Sequence, residues 1–204
     1  MASEYDLNVF INCPFDEDYT PLLDAILFAI YACGYRPRCA MEADNAGDIR
    51  IEKINRIISQ CRFGIHDISR TELDIANGLP RFNMPLELGL FLGAKKFGSQ
   101  TQRGKIAIIF DTEQYRYQKF ISDIAGQDIH AHDNHPGKLI RSIRNALNSA
   151  SPNGRIPGAA AIIDGYDQYQ SKRPELMQQL SLEEGDLTYA DKTQLIEQWL
   201  QFTA

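Results

Sequence analysis

The sequence predicts a doubly wound α/β domain built on a parallel sheet, with a small helical extension at its C-terminal end. Short apolar runs alternate with amphipathic stretches of helical period as far as residue 110. Strand–helix–strand order of this kind requires parallel strands joined by crossover helices. The 204-residue chain is 44% hydrophobic and 24% charged, the balance of a globular protein able to bury a sizeable core.

Leu7-Asn8-Val9-Phe10-Ile11 reads as a buried strand ending at Asn12-Cys13-Pro14. Over 21–34, Leu22, Leu23, Ile26, Leu27, Ile30 and Tyr31 fall at helical spacing, and Gly34 supplies a stop. A second strand, weakened by Pro37, spans 36–41, and 44–47 is a polar loop. Ile51, Ile54, Ile57 and Ile58 form the apolar stripe of a helix over 48–61. A third strand covers 62–68, a helix with Pro85 in its first turn covers 85–97, and 105–110 is the clearest strand. Residues 115–124 read as helical, 127–130 as a last short strand, and 136–149 as a helix with Leu139, Ile140, Ile143 and Leu147 on one side. The composition of 151–158 is that of a linker. The expected organisation is therefore an α/β domain over 1–150 and a linker with a helical extension over 151–204. In the extension, Thr188-x-x-Asp191 caps a last helix that runs to Phe202.

A formal net charge of −6 argues against a general nucleic-acid binder. No apolar run approaches the length of a membrane span, and the N-terminus lacks the basic region of a secretory signal. Cys13, Cys33, Cys39 and Cys61 form no C-x-x-C pair and are expected as reduced thiols in a cytoplasmic protein. Walker-type phosphate loops and G-x-G-x-x-G are absent, which excludes the commonest ATPase and dehydrogenase chemistries.

Ligands of doubly wound sheets bind beyond the carboxyl ends of the strands. Attention therefore falls on 12–16, 41–47, 67–71 and 111–117, and above all on the stretch 61–97. Asp67 ends the third strand and Asn12 the first, while Glu87 lies in the first turn of a helix. The helix macrodipole favours negative charge there, so this carboxylate is expected to stay ionised. Gly89 and Gly93 are expected to let the helix lie close against the sheet. His66 reads as a core histidine. His130, His132 and His135 read as a polar turn, without the spacing of a zinc site. Cys13 reads as a buried free thiol. Arg116, with Tyr115 and Tyr117, is placed to stack on a base or hold a phosphate, or else forms an ordinary surface turn.

Asp67 followed by Met84-Pro85-Leu86-Glu87-Leu88-Gly89, with the opening Val9-Phe10-Ile11-Asn12-Cys13-Pro14-Phe15, resembles the nucleoside 2-deoxyribosyltransferase-like group and the related bacterial TIR-like proteins. The resemblance covers roughly residues 5–110. It implies a flavodoxin-like sheet and cleavage of an N-glycosidic bond, with NAD or a related nucleotide or nucleoside as substrate and no cofactor or metal required. By this resemblance Glu87 is the catalytic carboxylate, and Asp67, in the same catalytic set, would hold a ribose hydroxyl or position the leaving base. Asn12, Pro14 and Phe15 would line the nucleotide site, with Ser69, Arg81, Asn83 and Met84 as further substrate contacts. The serine-rich segment of TIR domains proper is absent. The segment 71–83 also differs from the shorter loop of the deoxyribosyltransferases, so the subclass stays open. The implied partners are a nucleotide-type small molecule and further copies of the chain, in a bacterial antiviral setting. The alternatives are a non-catalytic nucleotide sensor and a self-assembling adaptor in which the loop 42–47 makes the contacts.

Overall fold

Five strands form one parallel sheet: β1 (Asn8–Asn12), β2 (Arg36–Arg38), β3 (Phe63–Asp67), β4 (Ile106–Asp111) and β5 (Ile129–Ala131). Their order is β2-β1-β3-β4-β5. The computed structural model describes residues 3–42, 45, 47–73, 78–151 and 156–203. The helices are α1 (Glu4–Leu7), α2 (Thr20–Ala32), α3 (Arg50–Ser59), α4 (Asn83–Phe97), α5 (Gln100–Arg103), α6 (Pro136–Ser149), α7 (Ala159–Gln179) and α8 (Tyr189–Thr203). The expected α/β architecture with a helical C-terminal extension is therefore observed. The strand order reverses between β1 and β3, whose register pairs Ile11 with Ile65 and Asn12 with His66. Such a reversal opens a crevice at the carboxyl ends of the two strands.

Both sheet faces are covered, because alternate strand residues point to opposite sides. Val9, Ile11, Phe63 and Ile65 pack with α2, α6, α7 and α8 in one core. Phe10 turns the other way, against Ile54, Ile57 and Ile58 of α3 and Phe91 of α4. Ile162, Tyr166, Tyr169, Leu195 and Ile196 of the extension share the α2 core. Asp24 on α2 is buried and meets Lys192 at 3.3 Å and Arg173 at 3.4 Å, which ties the extension down electrostatically. The Thr188–Asp191 cap forms as expected. Asp191 N–H donates to Thr188 Oγ1 at 3.2 Å, and Thr188 N–H to the Asp191 carboxylate at 2.9 Å.

Several expectations change. The second strand is three residues long, and 115–124 holds two short 3-10 turns in place of a helix. The short helices α1 and α5 carry no periodic signal and were not anticipated. Gly89 and Gly93 do not face the sheet: a Cβ at either would meet nothing within 4 Å. The close approach occurs at Gly64 of β3, where a Cβ would lie 2.7 Å from the Phe91 ring. Helix spacing placed the two glycines on one face, but only packing shows that it is the outer one. Residues 152–155 of the expected linker, 74–77 of the segment before α4, and Ala43, Asp44 and Ala46 of the loop after β2 lie outside the described residues. Among the described residues no helix is long and apolar enough to cross a membrane.

Candidate functional site

The residues singled out from sequence gather around the β1/β3 crevice, but they reach it from opposite faces of the sheet. Asn12 and His66 follow Phe10 and Gly64 onto the α3/α4 face. There Asn12 Nδ2 donates to the Met84 carbonyl at 2.8 Å and lies 3.1 Å from His66 Nδ1. His66 is wholly buried between Phe10 and Phe91, and burial holds it neutral, lowered to about 3. It is the core histidine its strand position suggested. Asn12 thus spends its amide fixing the start of α4. Met84 is buried among Ile68, Leu88 and Ile109, while Asn83 is exposed.

Glu87 is the fifth residue of α4. It therefore lies two residues deeper than expected, past the first turn, within which the helix-terminal charge falls off. Only 9% of the residue is exposed, and its carboxylate has no hydrogen bond or ion pair among the described residues. Burial pushes it up to about 7, against a smaller opposing pull from Arg50. The expectation of a permanently ionised glutamate is corrected accordingly, since desolvation outweighs the dipole at this depth.

Asp67 turns to the α2 face and is completely buried. It accepts from the Ser69 N–H at 2.8 Å and from the Tyr19 hydroxyl. His132 Nε2 lies 3.1 Å away. The Nδ1 of that ring accepts the Asn134 N–H at 2.9 Å, while its buried Nε2, close as it is to Asp67, makes no hydrogen bond. Tyr19 and His132 are site residues that sequence reasoning missed. Tyr19 carried no motif, and His132 was read as part of an incidental turn. A weak signal existed in the turn itself, where the adjacent Asp133 and Asn134 are residue types that tolerate positive φ, which they take at 50° and 55°.

Cys13 follows Asn12 and is buried in the α2-side core. Burial raises its thiol well above the ordinary range, and the charges of Asp67, Glu87 and Asp16 add to that rise. Pro14 is buried beside it and Phe15 is 38% exposed. Asp16 caps the turn before α2 by accepting the Tyr19 N–H at 3.0 Å, and it draws in Arg70 at 3.7 Å and Arg81 at 3.6 Å. Arg116 is not available for a base or a phosphate. It donates to Asp111 at 2.7 Å and to the Ser69 carbonyl at 2.5 Å, and so clamps the loop after β3. Tyr117 is a core residue. All four cysteines are free and buried, and among the described residues no three His, Cys, Asp or Glu side chains are grouped to hold a metal.

Two cavities flank this centre, and Glu87 lines neither. One, of about 290 Å3, is polar and includes Ser69, Arg70, Thr112 and Asn134. The other, of about 480 Å3, lies between the loop after β1, Met41 and the C-terminal extension.

No protein-family model matches the chain, and no curated protein and no solved structure matches it.

Proposed function

We propose that the chain is a TIR-like or deoxyribosyltransferase-like enzyme that cleaves the N-glycosidic bond of NAD or a related nucleotide or nucleoside. Glu87 is the reacting carboxylate. The observation that carries this reading is the state of Glu87: buried, unpartnered among the described residues, raised to about 7, and placed where the strand order reverses. An unpartnered buried carboxyl costs folding free energy, and a site tolerates that cost where the group reacts. Departure of a base leaves positive charge on the sugar, which a carboxylate stabilises strongly in a desolvated pocket, directly or by covalent capture. Asp67, with both oxygens engaged, holds the loop after β3 and does not touch substrate. Asn12 positions α4, and therefore Glu87, through Met84.

A second reading, a self-assembling module of the kind implied for bacterial antiviral defence, is favoured by one observation. Phe82, Leu86 and Phe97 on the outer side of α4 are 67%, 55% and 83% exposed, in line with the open faces of Gly89 and Gly93. Such an apolar stripe fits contact with another copy of the chain.

The deciding experiment incubates the protein with NAD and with a panel of deoxynucleosides and nucleotides, separates the products by chromatography, and uses Glu87→Gln as control. Release of nicotinamide or a free base that disappears in the variant supports the enzyme. Absence of turnover over a wide range of protein concentrations, with ligand binding retained, favours the non-catalytic sensor. Absence of any nucleotide binding favours the adaptor.

A further inference from the structure

The larger cavity is built from segments far apart in the chain. Phe15 and Asp16 come from the loop after β1, Met41 follows β2, and Glu184, Leu187 and Tyr189 belong to the extension. This last wall is held in place. Lys192 and Arg173 converge on the buried Asp24, Arg173 also pairs with Glu184 at 2.7 Å, and Leu195 and Ile196 sit in the core. Tyr189 packs against the same core. Asp16, in the lining, also caps the turn before α2 and faces Arg70 and Arg81.

Its chemistry is one-sided. Two aromatic rings and the side chains of Met41 and Leu187 offer flat apolar surface, and the Glu17 carboxylate supplies acceptors, while Asp16 faces Arg70 and Arg81 and Glu184 engages Arg173 through one oxygen. The ammonium of Lys192, also in the lining, is already paired with Asp24. Such a slot suits a planar ring that stacks and donates N–H groups, and it suits a phosphate poorly. At about 480 Å3 it lies within the range of small-molecule sites.

We propose that this cavity binds an amino-bearing heterocycle of the nucleobase class, and that the C-terminal segment 184–192 is the wall that selects it. The assignment of that heterocycle as the substrate's base rests on the glycosidase reading. The binding itself does not.

The test measures binding of free adenine, cytosine and nicotinamide to the full chain by calorimetry and by saturation-transfer NMR. Phe15→Ala and Leu187→Glu serve as cavity variants and Lys96→Ala, exposed on α4, as a control outside the cavity, with far-UV spectra to establish folding. At least one ring is expected to bind the wild type. Its affinity should fall about tenfold or more in both cavity variants, as loss of apolar contact surface does, and should stay unchanged in Lys96→Ala. Phe15 is partly exposed, so its variant keeps the test open if Leu187→Glu fails to fold. Ring binding without turnover of any substrate leaves the cavity assignment standing and removes the glycosidase reading. The cavity assignment is overturned if no ring binds or if the folded cavity variants bind as wild type does. Turnover lost in Glu87→Gln with KM unmoved in the cavity variants overturns it while leaving the glycosidase reading intact.

Discussion

The Asn12 side chain, at the end of β1, donates to the Met84 carbonyl in the first turn of α4 at 2.8 Å. This bond crosses the crevice where the strand order reverses and sets the height of α4 against the sheet. Asn12→Ala leaves a buried carbonyl without its donor and should cost about 1–3 kcal/mol. Asn12→Asp, which sets a carboxylate against that carbonyl, should cost more. Urea unfolding of the two variants checks the order, and equal midpoints for wild type and both variants would refute it.

Glu87 makes the protein's stability depend on pH. Its acid is raised from the ordinary 4.5 to about 7 by burial, so the folded state binds the proton more tightly than the unfolded state. The associated stability is fully present below pH 4.5 and is lost as pH rises through about 7. Glu87→Gln, which mimics the protonated form, should match wild type near pH 4.5. By about pH 8 it should exceed wild type by about 3 kcal/mol. Thermal melts at the two values read the difference directly, and a constant offset between the two proteins would contradict it.

The same titration should govern turnover. If the ionised carboxylate stabilises the sugar cation, kcat/KM of the free enzyme rises with pH and levels off above an apparent value near 7. A profile that is flat between about pH 5 and 9 would remove Glu87 from that role.

Glycine substitutions separate the two surfaces of α4. Gly64→Ala forces a methyl group to within 2.7 Å of Phe91 and should destabilise by about 1–3 kcal/mol. Gly89→Ala and Gly93→Ala meet open space inside a helix, so each should stabilise by about 0.5–1 kcal/mol. Denaturant midpoints that move in the same direction for all three would show that the outer face of α4 is occupied.

Arg116 is a clamp whose removal should be felt in the loop after β3. Its guanidinium reaches Asp111, Thr71, Glu72 and the Ser69 carbonyl at once. A lysine keeps the charge but not the fork. Arg116→Lys should cost about 1–3 kcal/mol and expose residues 69–72 to limited proteolysis. An unchanged cleavage pattern with unchanged stability would count against the clamp.

The alternation of apolar runs with helical stripes was enough to place every strand to within a few residues. It succeeded because buried parallel strands and amphipathic helices leave their periods in the chain. β2 shrank because only Arg36, Pro37 and Arg38 find partners on β1. The site was legible in part. Glu87 and Asp67 were visible as acids at element ends, whereas the commitment of Asp67 to Tyr19 and His132 spans 48 residues or more of chain and leaves no local pattern.

Local rules therefore determined the α/β class, the Gly34 stop and the Thr188 cap, because each depends on neighbours a few residues away. Tertiary structure decided which face of α4 is buried, and so whether Glu87 is charged. It also decided that Asp67 is occupied, and that the extension supplies a wall of the larger cavity. These outcomes turn on desolvation and on contacts between distant segments, quantities that exist only once the chain has packed.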